Sequence, residues 1–442
     1  METHCEWQFG ADDGLAVAYS RGRPISAAQY RADVEHCMAT LGDAPDVLVN
    51  CEGRYGFSVA LLAAWLSGKT AILPPNTSDQ ALRAIREQYP LAGECDTQWA
   101  CTLPGPAPTQ ATTRWAVAVP GTHLGVRLYT SGSTGTPVVV AKSVANLVDE
   151  ARTLARIIDW PRAPVIGSVA PQHMYGLTFT VMLPWLAGLP WVDESPRFEG
   201  DLADVLARTG ARTLISIPAH YRALLASSVD LDPIHCVSAA AALDSATAGA
   251  WETRYGQAIL EIYGSTETGV IAMRRQCHDP RWRAIAGVDL SVDGNLLKVR
   301  SPYVGRDWAQ GFQTADCVAL HADASFDLLG RADSIVKVAG KRVSLAAVER
   351  CLMTYPGVSD AVAVSIASPA LVRDQLILAA VAHPAAERVE IGDIRRHLVD
   401  RLESVAVPRR IVVVERIPRN ANGKAPRADL MALFGDLETH DA

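Results

Sequence analysis

The stretch that decides the fold is Tyr129-Thr-Ser-Gly-Ser-Thr-Gly-Thr-Pro137, which follows an apolar, strand-like run at residues 126–128. Its glycines let the backbone bend sharply and approach an anion closely, and its serines and threonines add hydroxyl donors. That chemistry suits the phosphates of a nucleotide. The run differs from the phosphate loop of kinases and ATPases, because no lysine follows Gly135. Taken alone, it is equally typical of a flexible surface loop.

Composition limits the class of protein. A chain of 442 residues is too long for one ordinary core, so we expect two or more domains. The hydrophobic share of 49% and the charged share of 20% indicate a soluble globular protein. The net charge of -7 and the lack of Lys/Arg blocks argue against nucleic acid as a partner.

Location is predicted from the same sequence. The start of the chain has no basic and apolar secretory signal, and the apolar stretches are interrupted by polar residues, so we expect no membrane span. The nine cysteines are scattered and form no C-x-x-C pair. They indicate reduced thiols in a cytoplasmic protein rather than a disulfide framework or a metal site.

Strand-like and helical runs alternate from about residue 45 to 270, which predicts parallel sheets covered by helices on both faces. Ligands in such folds bind at the carboxyl ends of strands, where the loop at 130–137 lies. Residues 285–330 favour a small β-barrel or sheet. Residues 333–442 form a compact α+β pattern that suits a separate domain, with 330–333 as a candidate hinge.

A second candidate site is Tyr263-Gly-Ser-Thr-Glu-Thr-Gly269, after a strand predicted at 258–262. Tyr263 can stack on a purine, and Gly264 permits close approach. Glu267 is an oxygen ligand of the kind that Mg²⁺ shares with phosphates. An ordinary turn with a capping Thr or Glu is the alternative.

Four further residues add to the pattern. Asp316 can accept from ribose hydroxyls, with Arg331 as a nearby donor. Lys424, in the turn-rich loop 418–424, can meet developing negative charge. His173, in the loop 170–177, can line an acyl pocket. The alternatives are solvated surface charges for the first three and a structural histidine for the last.

In this order, the motifs resemble those of the adenylate-forming superfamily: acyl- and aryl-CoA synthetases, adenylation domains of peptide synthetases, and luciferases. The matching stretches are Y-T-S-G-S-T-G-T-P at 129–137, Y-G-S-T-E at 263–267, T-A-D at 314–316, G-R-A-D-S-I-V-K-V-A-G-K-R at 330–342 and G-K at 423–424. They span about two thirds of the chain. The short form also resembles small AMP-ligases of aryl-polyene and polyketide-type pathways.

The resemblance implies a large N-terminal AMP-binding domain (1–332) of two doubly wound α/β subdomains plus a small β-barrel. A small mobile α+β domain (333–442) would follow it and carry the catalytic lysine. It also implies ATP and Mg²⁺ as cofactors and an AMP-forming acid–thiol ligase. A carboxylic acid would be converted to an acyl-adenylate with release of pyrophosphate, and the acyl group would then pass to a thiol.

Residue roles follow from the resemblance by position. Lys424, Glu267 and Thr266 would be catalytic, with Glu267 also binding the metal. Asp333 would be the hinge, and Gly340 would meet the pantetheine arm. The acyl pocket would be formed by His173, Tyr175 and Gly176. The nucleotide would be bound by Thr130, Ser131, Gly132, Ser133, Thr134, Gly135, Ala240, Ala241, Tyr263, Gly264, Asp316 and Arg331.

The chain departs from the family pattern in several places. Val138 stands where a lysine normally meets pyrophosphate, and Lys142, four residues on, is a candidate replacement. Ala315 replaces a glycine, and Ser334 replaces a frequent aspartate. Only 128 residues precede Tyr129, so we expect a trimmed N-terminal lobe.

The acid and the thiol are less constrained. An aryl acid is favoured, and a medium- or long-chain fatty acid is the alternative. The acceptor is an acyl carrier protein or CoA. A carrier is plausible because no basic run marks a site for the 3′-phosphate of CoA. A non-catalytic relic that binds ATP or an acyl group, and a phosphotransferase, are competing hypotheses.

Overall fold

The structure is a computed structural model that describes residues 3–10, 16–103, 114–130, 138–229, 231, 234–308, 310–338, 341–367, 375–383, 389–419 and 425–435. The chain divides into two compact units. The first comprises Met1–Leu290, Lys298–Phe312 and Asp323–Ser325, and the second comprises Ser291–Leu297, Gln313–Ala322 and Phe326–Ala442. The domain boundary at residues 332 and 333 stays a prediction.

Strands and helices alternate through the first unit and again near the end of the chain. The strands are β1 (His4–Phe9), β2 (Ala18–Ser20), β3 (Arg23–Ile25), β4 (Asp46–Asn50), β5 (Thr70–Leu73), β6 (Leu91–Asp96), β7 (Trp115–Pro120), β8 (Leu124–Thr130), β9 (Val138–Ser143), β10 (Val165–Gly167), β11 (Trp191–Val192), β12 (Thr213–Ser216), β13 (His235–Ser238), β14 (Leu260–Ser265), β15 (Gly269–Arg275), β16 (Asp279–Ala284), β17 (Asp289–Asp293), β18 (Leu296–Arg300), β19 (Phe312–Leu320), β20 (Ser325–Arg331), β21 (Ile335–Val338), β22 (Lys341–Ser344), β23 (Asp360–Ala367), β24 (Gln375–Ala382) and β25 (Arg410–Val414).

The helices are α1 (Ala27–Thr40), α2 (Arg54–Leu66), α3 (Asp79–Gln88), α4 (Thr97–Ala100), α5 (Val144–Ile157), α6 (Met174–Leu177), α7 (Leu183–Ala187), α8 (Glu199–Thr209), α9 (Pro218–Ala226), α10 (Ser245–Tyr255), α11 (Leu345–Met353), α12 (Ile391–Val399) and α13 (Arg427–Leu433). A π-helical turn, Thr178–Met182, joins α6 to α7. Single 3-10 turns lie at Arg306–Trp308, Ala332–Ser334 and Ser404–Ala406.

The first sheet of the first unit has the strand order β6-β4-β5-β8-β9. Strands β4, β5, β6 and β8 run parallel, and β9 turns back antiparallel to β8, with Thr130 opposite Val138. The glycine–hydroxyl loop at 131–137 therefore connects the two strands of a hairpin. It lies outside the described residues.

The second sheet carries the candidate site. Strands β10, β12, β13 and β14 are parallel neighbours, and β15 and β16 extend the sheet antiparallel beyond β14. Because parallel strands place their carboxyl ends at one edge, the loops after these strands meet there. The two sheets with parallel strands and their helices confirm the predicted α/β class.

A buried arginine ties the two sheets together. Arg54 opens α2 and is fully buried, and its guanidinium donates to the carbonyls of Val192 (2.6 Å), Gly167 (3.0 Å) and Val169 (3.1 Å). Burial lowers the pKa of Arg54 to about 10, so it stays charged at neutral pH. A charge without water needs several acceptors, and the strand-end carbonyls supply them.

Of the small β-barrel or sheet expected at residues 285–330, the described residues form a sheet, and the barrel that the resemblance implies is not closed among them. Strands β17, β18, β19 and β20 pair as neighbours in chain order. Within the part of the chain that the structure describes, these strands form an open meander, because no pairing closes β17 onto the far end. Short strands separated by turns give the same sequence pattern in a barrel and in a meander.

The end of the second unit is an α+β sandwich, as predicted. Strand β24 lies between antiparallel β23 and parallel β25, and β21 and β22 form a separate hairpin. Helices α11 and α12 pack on one side through Val348, Leu352, Ile394 and Leu398. Among the described helices, none is both long and apolar enough to cross a membrane.

Candidate active site

The hairpin between β14 and β15 presents the predicted metal and adenine residues at the carboxyl edge. Tyr263 and Gly264 lie in the last three residues of β14, and Thr266 and Glu267 lie at the tip before β15 begins. Gly264 is required by geometry, since a Cβ there would lie 2.2 Å from the Gly269 carbonyl oxygen. The structure thus brings these four residues together in one turn.

Side-chain hydrogen bonds hold the turn in shape. The Ser265 N–H donates to Thr268 Oγ1 (3.1 Å), and the Thr268 N–H donates back to Ser265 Oγ (3.2 Å). Thr268 is fully buried, and its hydroxyl donates to the Gly269 carbonyl (2.9 Å). Such local bonds replace a strand ladder at the tip and fix the direction of the residues between them.

The ring of Tyr263 is braced from the protein side by residues that the sequence did not single out. Its centroid lies 5.5 Å from that of the buried Trp282. The guanidinium of Arg274 lies over the Trp282 ring, 4.3 Å from its centroid. Arg274 also forms a two-point ion pair with Glu261, with 2.9 Å for each bond. Alternating positions on neighbouring antiparallel strands bring these side chains together, a signal that motif spacing does not carry.

Ala240 and Ala241, which are predicted to bind the nucleotide, follow β13, the neighbour of β14. Ala240 and Ala241 are exposed, and Ala240 has a φ of 70°, in the left-handed region that non-glycine residues rarely adopt. A strained residue of this kind costs about 1 kcal/mol or more and is common at ligand sites. Ala240 lies two residues past the end of β13, so it reaches the same edge as Tyr263.

The predicted acyl-pocket residues lie after β10, at the same edge. His173 is the N-cap residue of α6, and Gly176 has no room for a side chain, because a Cβ would lie 2.0 Å from the Ala170 carbonyl oxygen. The Tyr175 hydroxyl is 3.0 Å from the Ser216 carbonyl oxygen and 2.9 Å from that of Val237. Burial raises the pKa of Tyr175 well above its usual value. The Tyr175 hydroxyl is therefore already bonded within the protein, and the substrate role of Tyr175 stays a prediction.

Lys142 does not point outward as a replacement for the loop lysine. Its side chain is 1% exposed, and its ammonium donates to the backbone carbonyls of Tyr303 (2.6 Å) and Glu267 (3.1 Å). Burial lowers its pKa to about 8, against the opposing effect of Glu150 and Glu267. An ammonium in the interior with two carbonyl partners does not reach a pyrophosphate outside. The prediction that Lys142 replaces the loop lysine is therefore wrong.

The Glu267 carboxylate is suited to a magnesium ion. Within the described ranges, it accepts no hydrogen bond and forms no ion pair, although its own backbone carbonyl is held by Lys142. The same ranges contain no group of three or more His, Cys, Asp or Glu side chains that could hold a metal. One carboxylate fits a Mg²⁺ ion whose other ligands are phosphate oxygens and water.

The predicted ribose residues face one another in the second unit. Asp316 on β19 is directly opposite Arg331 on β20, and Arg331 Nη1 lies 3.6 Å from Asp316 Oδ1. Asp316 is mostly buried, while half of the Arg331 side chain is exposed. A carboxylate and a guanidinium side by side can bind two hydroxyls at once.

Of the other predicted residues, the structure describes the positions of Thr130 and Asp333. Thr130 ends β8, and Asp333 lies in the 3-10 turn Ala332–Ser334. Ser131, Gly132, Ser133, Thr134, Gly135, Gly340 and Lys424 lie outside the described residues. Their roles, and the hinge role of Asp333, stay predictions.

Comparisons with known proteins identify the family and the fold of the chain. A model of the AMP-binding enzyme family matches residues 93–313, and a model of the AMP-binding enzyme C-terminal domain matches residues 347–424. The chain is 31% identical over 308 residues to a 4-coumarate–CoA ligase of Cereibacter sphaeroides, covering 67% of this chain and 68% of that protein. It is 26% identical over 345 residues to a sulfoacetate–CoA ligase of Cupriavidus necator, covering 69% of this chain and 66% of that protein.

A solved structure gives the same result for the fold. ATP-bound MatB from Rhodopseudomonas palustris superposes with a TM-score of 0.79 at 19% identity, over 97% of this chain and 98% of that chain. At that identity the likeness concerns the fold. The family models and the 4-coumarate–CoA ligase carry the assignment further: this chain belongs to the AMP-binding enzyme family, the adenylate-forming superfamily that its motifs resemble.

Proposed function

We propose that this protein activates a carboxylic acid with ATP and transfers the acyl group to a thiol. The observation that carries the proposal is the β14–β15 hairpin, which presents Tyr263 and Glu267 at the carboxyl edge of a parallel sheet. An aromatic ring for a base and a carboxylate for a phosphate-bound cation, four residues apart, suit a nucleotide better than any other common ligand.

The first step joins acid and nucleotide. A carboxylate oxygen attacks the α-phosphorus of ATP, the bond from that phosphorus to the bridging oxygen breaks, and pyrophosphate leaves. Two anions must meet, so positive charge is required at the reacting centre. Mg²⁺ held by Glu267 would neutralise the phosphates, and Lys424 would bridge the carboxylate and the α-phosphate. In the second step a thiolate attacks the acyl carbon and AMP leaves.

The acid is most simply an aryl acid. Tyr175 packs against the buried Phe179 on the next turn, with 5.4 Å between the ring centroids, and a predicted acyl pocket beside Tyr175 would have an aromatic wall. Flat aromatic walls favour a flat substrate. The likeness to a 4-coumarate–CoA ligase supports the same choice. A fatty acid is the second candidate.

The acceptor thiol is CoA in this proposal, with a carrier-protein phosphopantetheine arm as the alternative. Both thiols end in the same pantetheine chemistry, so the first step is common to them. Transfer assays with CoA and with a loaded carrier distinguish the two directly, because only one would consume the acyl-adenylate.

The test is acid-dependent exchange of labelled pyrophosphate into ATP, run over a panel of aromatic and aliphatic acids. We expect exchange with at least one aryl acid, AMP rather than ADP as product, and a fall of about 10² to 10³ in rate for Glu267→Gln. ADP formation would indicate a phosphotransferase. Absence of exchange with every acid would favour the non-catalytic relic.

A further inference from the structure

The turn that carries Glu267 rests on two buried charges from a different part of the first unit. Lys142 ends β9, and Glu150 lies two turns into α5; each is 1% exposed. We call Lys142 and Glu150 the buried clamp. It lies beneath the β14–β15 hairpin, more than 110 residues away along the chain.

Each member of the buried clamp holds one side of the turn. Lys142 Nζ donates to the Glu267 carbonyl at 3.1 Å. The Glu150 carboxylate accepts from the Val270 N–H at 2.5 Å and from Thr178 Oγ1 at 3.2 Å. Glu267 and Val270 flank Thr268 and Gly269, so the base of the hairpin is fixed at both ends by charged partners.

The packing at Gly269 shows how closely the clamp fits. Gly269 has a φ of 71°, and a Cβ there would lie 2.5 Å from Glu150 Oε1. Glycine at this position lets the carboxylate reach the backbone. Lys142 also donates to the Tyr303 carbonyl, which anchors the ammonium independently of the turn.

Burying two charged side chains lowers the free energy of unfolding unless other interactions offset the cost. Removing two charges from water costs several kcal/mol per ion, and apolar replacements of similar volume are often no less stable. Two buried charged side chains that each bind the backbone of a functional turn therefore point to positioning rather than to stability. Outer partners of metal ligands commonly change metal affinity by 10- to 100-fold when they are removed.

We propose that Lys142 and Glu150 are positioning residues that hold the Glu267 turn in the geometry required for Mg²⁺·ATP. This inference rests on the proposed function, because it concerns the carboxylate assigned to the metal. Neither residue touches a reacting atom. In this chain the lysine missing after Pro137 is not replaced by Lys142; instead, Lys142 fixes the turn that carries the metal ligand.

The test separates positioning from general stability. Lys142→Met removes the ammonium at similar volume, and leaves the buried Glu150 carboxylate without the positive charge of Lys142. The double variant Lys142→Met/Glu150→Gln removes both charges, and its amide can still accept from Val270. Lys298→Met, at an exposed position on β18, is the matched control.

Three measurements are compared. We expect the double variant to melt close to the wild type, whereas Lys142→Met alone melts lower. In both, amide hydrogen exchange of residues 265–270, measured without ligands, should be at least about tenfold faster. The Mg²⁺ concentration for half-maximal pyrophosphate exchange should rise about tenfold. Lys298→Met should match the wild type in every measurement.

The outcomes that overturn the proposal are specific. A double variant with wild-type amide exchange and wild-type Mg²⁺ requirement would show that the clamp positions nothing. Faster amide exchange with an unchanged Mg²⁺ requirement would limit the clamp to local stability. If the wild type exchanges pyrophosphate with no acid, the proposed function fails, and the ligand-free amide exchange alone then decides whether the clamp holds the turn.

Discussion

Two polar side chains near the candidate site, Lys142 and Tyr175, donate hydrogen bonds to backbone carbonyls. Both residues stand beside recognisable motifs, so the sequence suggested that they face ligand. Their partners lie 125 and 41 positions away. Composition and spacing place a residue on an element, but they do not show which distant carbonyl it will meet.

At Ala240 the backbone itself is strained. Replacing Ala240 by Gly removes the Cβ that makes a φ of 70° unfavourable. We expect the free energy of unfolding to rise by about 0.5 to 1 kcal/mol, since part of the relief is offset by the greater freedom of glycine in the unfolded chain. Urea unfolding of wild type and variant checks this. An unchanged or lower stability would mean that the φ is not a source of strain.

His235 should make stability depend on pH. Its ring stacks on Trp160 at 5.1 Å, and burial, with Arg275 nearby, lowers the pKa of His235 to about 4 against a small opposing effect of Asp159. Below the ordinary histidine pKa of about 6.5, His235 is protonated in the unfolded chain but stays neutral in the folded chain until the pH approaches 4. Stability is therefore lost as pH falls from about 6.5 toward 4.

The measurement is urea unfolding at pH 7 and at pH 4.5 for the wild type and His235→Gln. The wild type should lose about 1 to 3 kcal/mol more than the variant between these two values. Equal losses would show that His235 is not desolvated. Carboxylates elsewhere titrate equally in both proteins, so they cancel in the comparison.

At the scale of elements, the sequence predicted most accurately where an apolar run is short and lies between turns. The runs at 345–353, 375–382 and 410–414 predict a helix and two strands, and helix α11 and strands β24 and β25 have these bounds. Strands β1 and β7 were not predicted. They pair with each other across more than 100 residues, and a pairing so distant leaves no local pattern.

The β14–β15 hairpin gives an element-scale prediction. Gly264→Ala places a methyl group 2.2 Å from the Gly269 carbonyl oxygen, so the turn must open. We expect pyrophosphate exchange to fall at least about 10²-fold, as reacting groups misplaced by about 1 Å commonly cost this much.

The matched control is Gly249→Ala in α10, where a Cβ meets nothing within 4 Å. Alanine is the better helix former, so this variant should gain about 0.5 to 1 kcal/mol of stability and keep full exchange activity. Thermal melts and exchange assays on both variants decide. Full activity in Gly264→Ala would show that the hairpin tip does not carry the site.

At the scale of the whole molecule, the sequence predicted the class of both units and the order of the motifs. At residues 285–330 it left a barrel and an open sheet as alternatives, since closure depends on pairings between strands rather than on their composition. Tyr263 and Glu267 belong to the first unit, and Asp316 and Arg331 belong to the second.

Lys424 belongs to this scale, because its predicted role requires the end of the chain to act on a substrate bound by other elements. We expect Lys424→Ala to lose most adenylation, on the order of 10² to 10³ in rate, and to keep thioester formation from a supplied acyl-adenylate. Separate assays of the two half-reactions check it. Equal loss in both would contradict the assigned role.

The most direct test of the central claim follows an oxygen atom. An acid that supports exchange is labelled with ¹⁸O in its carboxyl group and converted with ATP and a thiol acceptor. If the carboxylate attacks the α-phosphorus, the AMP released must carry one ¹⁸O, as seen by mass spectrometry. Unlabelled AMP, or label in inorganic phosphate with ADP as the other product, would contradict the account.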